Sequence, residues 1–92
     1  MPALKTNAPS LSIVESLSQT VDRLIGEYFA AHHGMRPPAG LYGRVLREVE
    51  KPLIERTLNL TGGNQIRAAE VLGINRNTLR KKIRDLEIEV RR

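Results

Sequence analysis

An all-α fold is predicted for this chain of 92 residues, and three features predict it. Apolar residues recur in steps of three and four across residues 14–29 and again across 42–60, the period of a helix face. Gly34, the Pro37-Pro38 pair and Gly40 punctuate the two stretches. Between Thr61 and Leu86 the elements shorten: two asparagine-capped segments flank Gly73, the grammar of a helix-turn-helix.

Residues 1–11, MPALKTNAPSL, carry two prolines, small polar side chains and no periodicity. They read as a flexible lead-in or as the remnant of an interdomain linker, with one domain over 12–92. A long helix is expected to open at Ser12, where Ser12 and Glu15 have the spacing of a capping box. Val14, Leu17, Val21, Leu24, Ile25, Tyr28 and Phe29 form its stripe, suited to pairing with another helix. It is expected to end near His33, with Gly34 as its stop.

His32 and His33 invite a metal reading. Adjacent histidines on a helix diverge by about 100°, and no second ligand cluster lies at coordinating spacing, so no metal site is assigned.

The second long helix is expected from Leu41 to Thr61, with Tyr42, Val45, Leu46, Val49, Leu53 and Leu60 as its buried stripe. Pro52 falls in its middle. The stripe continues through the proline in phase, which predicts a kink and not two helices.

The helix-turn-helix follows. Asn64 caps Gln65–Leu72, whose Ile66, Ala69 and Leu72 share a side. Ala69 is small enough to let two short helices cross closely. Gly73 supplies the positive φ of the stop, Ile74 plugs the corner, and Asn75 caps a last helix from Arg76 to about Leu86. On that helix Leu79, Ile83 and Leu86 fall on one arc. Asn77, Arg80, Lys81 and Arg84 fall on the opposite arc, with Arg76 and Thr78 at the start. These are the residue types that read base edges and grip phosphates.

Charge supports that assignment. Residues 1–40 hold three basic and three acidic side chains, whereas residues 64–92 hold eight and four, so most of the formal net charge of +5 lies in the last third. A local basic patch suits a polyanion. A membrane surface is also a polyanion, but the apolar side of the last helix is committed to a core.

No apolar run approaches the span of about 18 residues that a membrane helix needs. No apolar leader opens the chain, and there is no cysteine, so a cytoplasmic protein is expected, nucleoid-associated through the DNA binding read above. No catalytic grouping, cofactor cradle or small-molecule site is visible. A purely structural dimerisation module with an incidental basic tail is the stronger rival to DNA binding.

With three aromatic side chains in all, one short hairpin leaves more apolar face than it can bury. Pairing two copies about a two-fold axis predicts a homodimeric four-helix bundle with a helix-turn-helix at each end. Its interface would take Leu17, Val21, Leu24, Ile25 and Tyr28 from the first helix and Val45, Val49 and Leu53 from the second. The alternative is a monomer that uses its own helix-turn-helix to complete its core.

The segments EVEKPLIE, GNQIRAA and GINRNTLRKK, within residues 41–86, strongly resemble the Fis-type DNA-binding domain. That domain is found in the nucleoid protein Fis and at the C-terminal end of NtrC-class transcriptional activators. The resemblance implies a homodimer on double-stranded DNA, with the last helices in the major groove. By position, Arg76 resembles the principal base-reading side chain. Asn75, Thr78, Arg80, Lys81 and Lys82 match base- or phosphate-contacting positions, and Asn64 with Arg67 matches phosphate contacts; Gln65, beside Asn64 at the helix start, is a further, weaker phosphate candidate. Ile66 replaces a polar residue, and Asp85 stands where the nucleoid protein has lysine.

RPPAGLYGRVLREVEKPLIE and INRNTLRKKIRDLEIEV look most like the output domain of an NtrC-type response regulator. A free-standing Fis-like protein that binds and bends DNA is the alternative.

Overall fold

The computed structural model describes residues 9–90, with side chains from Ser16 onward, and the chain divides into two units between Ala39 and Gly40. Every regular element among the described residues is helical.

The first unit is one helix, α1, Pro9–Ala30. It starts three residues before the expected Ser12, so Ser12 lies inside the helix and is not its cap. Proline suits a helix start, where its missing N–H would have found no partner. Residues 1–8 of the expected lead-in, and the side chains of Ser12, Val14 and Glu15, lie outside the described residues.

The other end also differs from expectation. Regular helix stops at Ala30, and the His32 and His33 N–H groups donate to Phe29 and Ala30 carbonyls, each at 3.1 Å, in tighter i→i−3 turns. His33 and Gly34 both take left-handed φ (51° and 82°), so the stop spreads over two residues. His32 Nδ1 lies 2.7 Å from the Tyr28 carbonyl, which can only accept, so Nδ1 carries the proton. The ring meets Tyr28 edge-on, with centroids 4.5 Å apart.

The second unit holds α2 (Leu41–Leu60), α3 (Gln65–Leu72) and α4 (Arg76–Asp85). Pro52 sits inside one continuous α2. Its core is Ile54 and Leu58 from α2, Ala68 and Ala69 from α3, Leu79 from α4 and Ile88 beyond it; Leu72, Ile74, Ile83, Leu86 and Val90 pack around these.

Within the single chain, α2 buries a face other than the expected stripe. Tyr42, Leu46, Leu53 and Leu60 are exposed, and the buried residues are Ile54, Thr57 and Leu58. The two arcs lie a little over a quarter of a turn apart at 100° per residue. One face of α2 therefore carries the helix-turn-helix, and a second apolar face is left open. The buried Thr57 hydroxyl donates to the Leu53 carbonyl at 2.8 Å, which removes the cost of burying it.

All three helices of this unit end alike. An N–H two or three residues past the end donates back to a carbonyl five residues earlier: Gly63 to Leu58, Ile74 to Ala69 and Ile88 to Ile83, at 2.8–3.0 Å. This is the Schellman arrangement, and it needs a left-handed residue in the middle. Gly62 and Gly73 supply it twice; the third is Glu87, at φ 55°. A Cβ on Gly73 would meet nothing within 4 Å, so glycine serves there for its φ of 75° and not for space.

Candidate nucleic-acid interface

Two asparagines fix the helix-turn-helix. Asn64 Oδ1 accepts from the Arg67 N–H at 3.1 Å, and Asn75 Oδ1 accepts from the Asn77 N–H at 2.7 Å. Each satisfies one of the N–H groups that a helix start leaves over. The Thr61 hydroxyl lies 3.1–3.2 Å from the Thr57, Leu58 and Asn64 carbonyls and donates its one proton among them, tying the end of α2 to the cap of α3.

The crossing of α3 and α4 rests on small residues. Ala68 and Ala69 are 0% and 4% exposed, and Leu79, at 0%, fills the space they leave. Only Ala69 was expected in this role. Ile66, expected on the inner side, is 52% exposed. Asn64 sets the phase of the first turn, and that phase turns Ala68, Ala69 and Leu72 inward while Ile66 looks out.

With Leu79 locked inward, the polar face of α4 is turned outward. Arg76, Asn77, Thr78, Arg80, Lys81 and Arg84 are all exposed, as are Asn64, Arg67 and Asn75; Gln65 is half-buried. Arg76 and Arg80 share a broad concavity of about 720 Å³ with Gly62, Gly63, Asn64, Gln65 and Ile66. Two guanidiniums thus stand beside the positive end of α3, an arrangement that attracts an anion.

Not every expected residue is equally free. Lys81 Nζ lies 3.2 Å from Asp85 Oδ2, and Arg84 Nε lies 3.9 Å from Asp85 Oδ1, both in open solvent where such pairs yield readily. Lys82 is different: its ammonium is 2.7 Å from Glu50 Oε2 on α2, and both side chains are about two-thirds covered. Nothing in the sequence singled out Glu50, which sits among ordinary flanking charges until the fold brings it to α4.

The fold and this surface define a helix-turn-helix protein with an exposed basic last helix. Residues 45–86 match the model of the family described as "Bacterial regulatory protein, Fis family". The chain is similar to the DNA-binding transcriptional regulator NtrC of Azospirillum brasilense, 63% identical over 83% of this chain and 16% of that protein. A Fis-like DNA-binding protein of Neisseria meningitidis is 45% identical over 73% of this chain and 84% of its own length. The DNA-binding protein Fis of Proteus vulgaris is 46% identical over 74% and 72%. The chain belongs to the Fis family. It spans less than a fifth of the length of the NtrC relatives it matches.

Proposed function

We propose that the chain binds double-stranded DNA sequence-specifically as a homodimer and serves transcription regulation. The observation that carries DNA binding is the sorting of α4: Leu79 fully buried, with Arg76, Asn77, Arg80, Lys81 and Arg84 exposed around it.

In this reading Arg76 reads a base edge from the start of α4, with Thr78 and Arg80 beside it. Asn75, Lys81 and Arg84 reach bases or the backbone. Arg67, with Gln65 and the Asn64 amide, holds a phosphate at the start of α3. The names of the relatives support this, since each includes DNA binding.

The dimer is supported by the open apolar face. Tyr42, Leu46, Leu53 and Leu60 lie exposed along α2, and Leu17, Leu24 and Phe29 along α1, more apolar surface than a lone chain keeps in water without use. In the assembly we infer, Leu17, Val21, Leu24, Ile25, Tyr28, Val45, Val49 and Leu53 meet their counterparts. Two α4 helices then approach successive major grooves of a pseudo-palindromic site.

Identity of 63% to NtrC against 46% to Fis favours the output domain of an NtrC-type regulator over a free-standing nucleoid protein that bends DNA. An upstream reading frame encoding further domains would decide between them.

Gel retardation across a salt series tests the DNA reading. Affinity for duplex DNA is expected to fall steeply as salt rises, with a log–log slope of about −0.9 per phosphate neutralised. No retardation at low salt would leave a dimerisation module only. Arg76→Ala is expected to cost about 1–3 kcal/mol and to relax preference at one base pair per half-site; uniform weakening on every sequence would make it a phosphate contact.

A further inference from the structure

Lys82 departs from its neighbours on α4. It is 34% exposed while its partner Glu50 is 29% exposed, so their 2.7 Å contact is shielded on most sides. On the helical wheel Lys82 falls on the flank toward α2, about 100° from Lys81, the nearest of the arc of Asn77, Lys81 and Arg84. Glu50 stands one turn before Ile54, on the arc of α2 that carries the helix-turn-helix. The pair joins residues 32 positions apart.

We propose that Glu50 is a positioning residue that fixes the roll of the recognition helix through Lys82, so that this lysine acts on discrimination and not as a phosphate grip. The proposal rests on the DNA-binding reading above and departs from the base- or phosphate-contacting role that family resemblance implies for Lys82.

The physical reason lies in what holds α4. Its start is pinned by the Gly73 turn and the Asn75 cap, and its middle by Leu79. Its second half rests on Ile83 and Leu86 with the buried Ile88 beyond them, apolar contacts that set the roll less sharply than a directed hydrogen bond. A short charge-assisted hydrogen bond has direction and removes that freedom. A small roll of α4 would carry Arg76 and Arg80 sideways. Hydrogen bonds to base edges fail over such displacements, whereas attraction to a phosphate declines slowly with distance. Loss of the strut therefore damages sequence preference more than grip.

The test uses the whole 92-residue chain, a duplex selected by it from a random pool, and an unrelated duplex of equal length. Glu50→Gln and Lys82→Met are each expected to lower the preference for the selected duplex roughly three- to tenfold. The salt slope should stay unchanged, and the exchanged pair Glu50→Lys with Lys82→Glu should restore most of the preference. A salt slope shallower by about 0.9 in Lys82→Met would make Lys82 a phosphate ligand and overturn the proposal. Tighter binding of Glu50→Gln to both duplexes would overturn it equally, because the freed lysine would then be gripping the backbone. If a single variant folds poorly, the exchanged pair decides, and a folded pair that does not recover preference contradicts the strut. A wild-type chain that retains no duplex at low salt removes the DNA reading itself.

Discussion

α1 and the helices after Gly40 draw on the same aliphatic residues and come to opposite ends. In α1, Leu17, Leu24 and Phe29 remain 45–50% exposed. In the second unit, Leu79 and Ala68 reach 0%, and three short helices close a core around them. The difference is one of chain economy. Three helices that turn back on one another within about fifty residues can each offer a face to the other two, whereas a single helix has no second element within its own unit to cover its stripe. α2 belongs to both regimes. Ile54, Thr57 and Leu58 are closed by the helix-turn-helix, while Tyr42, Leu46, Leu53 and Leu60 share the open condition of α1. A self-sufficient unit and an open apolar face on one chain suit a module that folds by itself and is assembled by pairing.

The contrast can be broken from the closed side first. Leu79→Ala empties the best-buried position and is expected to cost about 3–5 kcal/mol in urea denaturation, with DNA retention lost alongside. A cost below about 1 kcal/mol, in the range of surface substitutions, would mean that the core is not centred there.

Next in size, Gly73→Ala places a Cβ at a φ of 75° where space is open. The expected loss is about 1–2 kcal/mol, all of it conformational, with no change in the denaturant slope. The smallest effect should be a gain. Glu87 occupies a left-handed site, and Glu87→Gly is expected to stabilise the unit by about 0.5–1 kcal/mol. A loss would show that the Glu87 side chain contributes more than its backbone strain removes.

Much of the helix-turn-helix was legible in the sequence because local chemistry writes it. Asn64, Gly73 and Asn75 act where caps and stops must act, and Leu79, Ile83 and Leu86 turn inward together. What escaped was tertiary. The apolar residues of α2 satisfy two overlapping helical stripes, and period alone selects the longer one, so Ile54 and Leu58 were passed over. Ala68 carries no hydrophobic signal beside Ala69. Ile88 is buried only because Glu87 turns the chain back over α4, and no left-handed turn is written in a glutamate. The link from Lys82 to Glu50 depends on how α4 lies on α2, which neither helix specifies alone.

Equilibrium sedimentation, read beside thermal unfolding, on the wild-type chain and on Leu24→Lys tests the central claim most directly. On the proposed reading the closed unit folds alone and the open face pairs, so the wild type should sediment at twice the chain mass. The variant should sediment at the mass of one chain, because a charge in that seam would lie buried without a partner. Its helix-turn-helix should still unfold cooperatively. A monomeric wild type, or a Leu24→Lys chain that stays dimeric, would contradict the account.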